Sequence, residues 1–216
     1  MSAVRQPMRA MWRCLSVVVF LLAGCMRLLG LGAGPDSSRF YMLTPIAATD
    51  GAGGTRGEPS LRVGLGPIVL PRYLDRPVIV RRMGTNQLQL SGSDRWAEPL
   101  SEAVAHVLQQ NLITLLGGRV TLYPWAVGTD IDTRVKVEVL RFEPGTDGGA
   151  DLAARWTVRD ASGTRPVVRE SQVAEPASGG DTEAAVAAMS RALATLSGEI
   201  ASSVRDHAAA GPAPPR

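Results

Sequence analysis

The chain has 216 residues, with 23 Lys or Arg against 20 Asp or Glu and a formal net charge of +3. Residues 1–24 hold three Arg and no acid, so the remaining 192 residues are neutral overall and carry no basic surplus for nucleic-acid phosphates. Two Cys and two His leave no basis for a Cys-rich or multi-His metal centre, and 192 residues suffice for one domain with a real core.

Arg5, Arg9 and Arg13 precede the apolar run Leu15–Leu22, which ends in the small residues Ala23 and Gly24 before Cys25. A basic end, an apolar middle and small residues form the layout of a secretory signal. Leu22-Ala23-Gly24-Cys25 resembles the lipobox of bacterial lipoproteins. That resemblance implies a diacylglyceryl group on Cys25, cleavage before it, and acylation (commonly by palmitate) of the new N-terminus. Three chains anchor firmly, at about 0.8 kcal/mol per buried CH2. A transmembrane anchor and an ordinary cleaved signal are the alternatives. The apolar run is shorter than the ~20 residues of a spanning helix, and Arg27 closes it, although Met26–Gly34 adds further Gly and Leu. With Cys14 removed and Cys25 lipidated, the mature domain has neither free thiol nor disulfide.

Residues 25–38 are Gly-rich and read as a flexible tether. Phe40–Leu43 is a first strand stopped by Pro45, and Ala47–Pro59 a loop without periodicity. Leu61–Leu65 alternates as a strand does, and Pro67 and Pro71 bracket Ile68-Val69-Leu70. Tyr73–Pro77 is a polar turn. Val78–Arg82 and Gln87–Ser91 form a hairpin about Gly84-Thr85-Asn86. Pro99 opens a helix whose apolar stripe is Leu100, Val104, Val107, Leu108, Leu112 and Leu115, and Gly117-Gly118 closes it. Asn111 interrupts that stripe with no explanation in the sequence.

Val120–Tyr123 is a short strand ended by Pro124. Thr133–Phe142, Leu152–Arg159 and Pro166–Val173 alternate and predict an antiparallel meander with one wet face. Asp181 is a good N-cap for a second helix, striped by Val186, Met189, Leu193, Leu196, Ile200 and Val204 and ending near Asp206. Residues 208–216 read as a disordered tail. The expected fold is α+β: one domain over 39–207, with a mixed, mostly antiparallel sheet and two amphipathic helices packed on one side.

No phosphate-binding loop, dinucleotide fingerprint, zinc-peptidase motif or nucleophile elbow occurs. His106 falls roughly opposite the Val104/Leu108 stripe and His207 at a helix end, so neither suits a catalytic triad. The inventory predicts no enzyme and no cofactor. Arg72, Arg76, Arg81, Arg82 and Arg95 cluster with Tyr73 and Trp96. Arg with aromatics is the composition of protein contact points, and also suits lipid headgroups. The plainer alternative is a solvated hairpin with Trp96 packed under the helix start.

Phe40-Tyr41-Met42-Leu43, Leu70-Pro71-Arg72-Tyr73-Leu74-Asp75-Arg76-Pro77, Arg95-Trp96-Ala97-Glu98-Pro99-Leu100, Tyr123-Pro124-Trp125 and Val139-Leu140-Arg141-Phe142, in this order behind a lipobox, resemble the PqiC (YmbA-type) family over about Arg39–Ala201. These are auxiliary lipoproteins of MCE-type intermembrane transport systems. The resemblance implies a non-catalytic, lipid-anchored subunit facing the periplasm. Its implied partners are an MCE-domain substrate-binding protein and a membrane permease. It also implies rings of identical subunits and a contribution to envelope integrity. Cys25 transfers as the lipidation site. Arg72, Tyr73, Leu74, Asp75, Arg76, Arg82, Arg95 and Trp96 are the expected partner or subunit interface. Met26 lies where an Asp retains enteric lipoproteins in the inner membrane, so the outer membrane is expected. A hydrophobic-ligand carrier, which needs an apolar pocket, and an outer-membrane assembly factor are the rival functions.

Overall fold

The computed structural model describes residues 37–47, 61–160, 163 and 166–210. Cys25 and its signal, most of the tether and of the Ala47–Pro59 loop, and the tail beyond Ala210 lie outside the described residues.

Eight strands and two helices follow in the order β1 (Arg39–Tyr41), β2 (Arg62–Val69), β3 (Val78–Gly84), β4 (Gln87–Trp96), α1 (Leu100–Leu116), β5 (Arg119–Leu122), β6 (Thr133–Pro144), β7 (Ala150–Asp160), β8 (Val167–Glu175) and α2 (Thr182–Ala209). They form an α+β domain, as expected. The strands divide between two sheets, a five-stranded one in the order β5-β2-β6-β7-β8 and a three-stranded one in the order β1-β4-β3. The predicted meander is β6-β7-β8, antiparallel throughout, and β3-β4 is the predicted hairpin. The parallel pairs join strands distant in sequence: β2 with β5 and β6, and β1 with β4. α2 ends at Ala209, two residues into the stretch read as tail.

On the covered face of the large sheet, Val63, Leu65, Val135, Val137, Val139, Leu152, Ala154, Trp156 and Val158 join the helix stripes in one core. The helices contribute Leu100, Val104, Leu108 and Leu112 from α1, and Met189, Leu193, Leu196, Ile200 and Val204 from α2. Each fully buried large aliphatic side chain contributes about 1.5–3 kcal/mol. Ala185, Ala188, Ala192 and Ala201 are also fully buried, and their small side chains let α2 approach closely enough to cover Trp156. No helix among the described residues is long and apolar enough to cross a membrane.

The helix ends follow their sequence signals. Asp181 accepts the Ala184 N–H at 2.8 Å, and Gly117 takes the left-handed conformation at φ 63° with its N–H bonded to the Ile113 carbonyl. Pro99 occupies the N-cap position rather than the first turn, and its carbonyl accepts from the amides of Glu102 and Ala103. At Gly64 the constraint is space, since an added Cβ would lie 2.8 Å from the Trp125 indole, which rests on the strand there.

Asn111 now has its explanation. It is fully buried, its Oδ1 accepts the Ile46 N–H at 2.8 Å, and its Nδ2 donates to Ser197 Oγ at 3.1 Å. One side chain therefore fastens the segment after β1 to both helices. Truncation would leave the part-buried Ile46 amide without its acceptor and Ser197 Oγ with only its bond to the Leu193 carbonyl, at 2.7 Å. Asn111→Ala is expected to lower stability by about 1–3 kcal/mol in urea denaturation. An unchanged midpoint would mean that Ile46 and Ser197 find other partners.

Candidate functional site

The turn 71–77 is organised by its own backbone: the Leu74 N–H donates to the Pro71 carbonyl at 3.0 Å and the Arg76 N–H to the Leu74 carbonyl at 2.8 Å. Leu74 is buried and pins the turn to the core. The Trp96 N–H donates to the Pro77 carbonyl at 2.8 Å, which brings the Arg-Pro turn against the end of β4. The Ala97 N–H donates to the Tyr41 carbonyl at 3.0 Å, and Ser101 Oγ in the first turn of α1 donates to Asp75 Oδ1 at 3.0 Å.

The result is a groove of about 370 Å3 lined by Asp75, Arg76, Pro77, Trp96, Ala97, Glu98 and Pro99. Pro77, Ala97 and Pro99 are exposed apolar surface, while Asp75 and Arg76 stand exposed on its rim. His106 Nδ1 lies 3.4 Å from Glu98 Oε2 at the far side. Short apolar residues between charges of both signs suit a protein loop, with polar contacts to fix its register.

Behind the groove, Glu143 has none of its side chain exposed. Its Oε1 accepts from Arg82 Nε at 2.6 Å, and its Oε2 accepts from the Tyr73 hydroxyl at 2.9 Å and from the Phe142 N–H at 3.0 Å. Burial, then the hydrogen bond to Glu143 and its charge, push the Tyr73 hydroxyl up to about 12. Arg82 is raised by its bond to Glu143.

A second clamp holds the small sheet to α2. Between Val80↔Leu90 and Val78↔Arg95 the β3–β4 register shifts, and the bulged residues of β4 include Asp94. Its Oδ2 accepts from Thr182 Oγ1 at 2.6 Å, and its Oδ1 from Arg39 Nε at 2.8 Å. Burial pushes the Asp94 carboxyl up, but the bonds from Thr182 and Arg39 together with the Arg39 charge hold it below the usual carboxylate range. Arg81 donates to Thr182 Oγ1 from the other side at 3.1 Å.

The expected interface residues thus occupy different settings. Asp75, Arg76 and the edge of Trp96 line the groove, and Arg72 is exposed on the same turn. Tyr73 and Arg82 are held inward by Glu143, and Leu74 belongs to the core. Arg95 stands on the opposite face of β4 from Trp96, with Nε donating to Ser38 Oγ at 3.0 Å. Ending the strand at Phe142 leaves Glu143 outside the sequence-based site, although the broken alternation at Leu140-Arg141-Phe142 marks the bulge that carries it inward.

A larger cleft, of about 550 Å3, opens between Trp156 and the C-terminal half of α2, with Arg169, Glu170, Glu199 and Asp206 among its lining residues. Its floor is already satisfied: Trp156 Nε1 donates to Ser171 Oγ at 2.8 Å, and Ser171 in turn bonds Glu199. We therefore place the candidate site at the smaller groove, where the two Pro-containing segments meet.

A family model described as ABC-type transport auxiliary lipoprotein component matches residues 41–201, a span that includes both walls of the groove. The chain belongs to this family. No curated protein matches it. Among solved structures it is similar to protein XCC0632 from Xanthomonas campestris, at 21% identity and a TM-score of 0.66, covering 80% of this chain and 97% of that one. It is also similar to the crystal structure of an uncharacterised protein, at 19% identity and a TM-score of 0.61, covering 77% and 98%. Both likenesses concern the fold. A fainter one, to the PelC dodecamer from Paraburkholderia phytofirmans at 11% identity and a TM-score of 0.36, covers 71% and 93% and carries no argument about assembly.

The Tyr73 hydroxyl supplies a test of the inner network. Its neutral form is favoured in the folded state, so the stabilisation is complete below its ordinary value near 10 and is lost as pH rises towards 12. Wild type should be more stable than Tyr73→Phe at pH 8 by about 0.5–1.5 kcal/mol, and the difference should shrink between pH 10 and 12. Chemical denaturation across that range checks it. A difference independent of pH would mean that Tyr73 does not titrate as the buried partner of Glu143.

Proposed function

We propose that this family member is a non-catalytic, lipid-anchored subunit of an envelope transport system. It would face the periplasm from the outer membrane and act by docking on the system's other components. The observation that carries this reading is the groove itself. It is assembled from Asp75-Arg76-Pro77 and Trp96-Ala97-Glu98-Pro99, lies within the stretch that matches the transport family, and is a recess sized for a loop of a partner protein. The proposed partner is an MCE-domain protein that carries lipid or another hydrophobic molecule, together with its permease. The proposed assembly is a ring of identical subunits, and the proposed consequence is envelope integrity. Dense packing supports docking over carriage. Trp156, Phe142, Met189, Leu193 and Leu196 fill the layer between sheet and helices, where an enclosed ligand would have to sit.

The clamps decide which variants are informative. Reversing Arg82 would strip a buried carboxylate of its charge partner and unfold the domain, whereas Arg72 and Arg76 are exposed and can be reversed safely. Crosslinked pull-down of the full-length protein from its own envelope should recover an MCE-domain protein. Arg72→Glu/Arg76→Glu should reduce that recovery at least about tenfold, as expected when a charged contact in an interface is reversed, while the protein stays folded and membrane-bound. Cys25→Ala should lose membrane association. Undiminished recovery with the double reversal would remove the groove from the interface. Recovery of an outer-membrane barrel instead would favour an assembly factor, and lipid bound to the isolated domain a carrier.

A further inference from the structure

The small sheet has an outward face that the groove does not use. Along β1 the side chains alternate: Tyr41 packs against the core and Leu43, just beyond the strand, is buried, while Phe40 and Met42 point out at 63% and 60% exposure. Phe40 pairs with Arg95, and Arg95 pairs with Val78 on the next strand, so the three share one row across the face. The stem of Arg95 extends the apolar surface, and among the described residues no carboxylate pairs with its guanidinium. Arg39, next to Phe40, points to the other face of the strand and is paired with Asp94.

We propose that this face rests on the phospholipid interface, with Phe40 and Met42 entering it and Arg95 at the headgroup phosphates. The proposal rests on the lipoprotein reading and on acylation of Cys25. Phe40 is the first apolar side chain among the described residues, fifteen positions after Cys25. Even a fully extended chain of that length keeps it within about 50 Å of the acylated residue. A large aromatic and a methionine beside the Arg95 cation match the requirements of a membrane interface, where apolar groups enter and a basic group meets phosphate. Edge pairing of β1 with a second copy is limited by its three residues, and a copy packed on the face itself is an outcome the test distinguishes.

The test uses the full-length protein, with mass spectrometry first establishing acylation of Cys25. Acylated Cys25 has no thiol, so Met42→Cys takes a single environment-sensitive dye, as does a Gln172→Cys control on β8. In vesicles of phosphatidylethanolamine and phosphatidylglycerol carrying shallow nitroxide-labelled lipid, the dye at 42 should be quenched about threefold more than the dye at 172. Its emission should shift to the blue only when vesicles are present. Equal quenching at the two positions overturns the proposal while leaving the lipoprotein reading intact. Excimer emission from pyrene at position 42 also overturns it, by placing a second copy on this face. An unacylated Cys25 overturns both readings.

Discussion

A carboxylate removed entirely from water governs how the two sheets meet. Glu143 near the end of β6 accepts from Arg82 of the small sheet, from Tyr73 of the turn before it, and from the backbone beside it. Desolvating a carboxylate costs several kcal/mol, and that cost is offset only when charge and hydrogen bonds are both supplied in place. The hairpin, the turn and the large sheet are therefore not free to adjust independently. The groove wall made by Asp75, Arg76 and Pro77 inherits its position from Tyr73, two residues upstream. Asp94 holds the other side of the small sheet in the same way, through Arg39 and Thr182.

This arrangement changes the meaning of the Arg-rich stretch. By composition, Arg72 to Trp96 looks like a single contact surface. In the fold it supplies a buried ion pair, a core leucine, a groove and an outward sheet face. Arginine serves each of these roles because its fork can satisfy a buried carboxylate while its stem covers apolar surface. Composition alone cannot distinguish an arginine that greets a partner from one that holds the domain together.

Both helices, the end of α1, the start of α2 and the β6-β7-β8 meander were legible in the sequence because their signals are local: an apolar stripe, an Asp cap, a left-handed Gly, strict alternation. The division into two sheets was not. Alternation tells which face of a strand is buried, not which distant strand lies beside it, and β1-β4, β2-β5 and β2-β6 are all distant parallel pairs. Asn111 read as an error in the stripe because its partners, Ile46 and Ser197, lie 65 and 86 positions away. Of the expected interface, the exposed members Arg72, Asp75 and Arg76 retain that role as a proposal. Tyr73, Leu74 and Arg82 instead hold the turn from within.

Both helices begin at the same strand. α1 follows directly from Trp96 at the end of β4, and the first residue of α2, Thr182, is bonded to Asp94 two positions earlier. Their aligned peptide dipoles therefore direct two partial positive charges towards one end of the domain. Acidic side chains gather there: Asp75, Glu98 and Glu102 around the start of α1, and Asp94, Asp181 and Glu183 around the start of α2. These carboxylates therefore compensate the positive ends of both dipoles where the helices meet the small sheet. Of the small sheet's own strands only Asp94 takes part in this, since their other charged residues are Arg39, Arg81, Arg82 and Arg95.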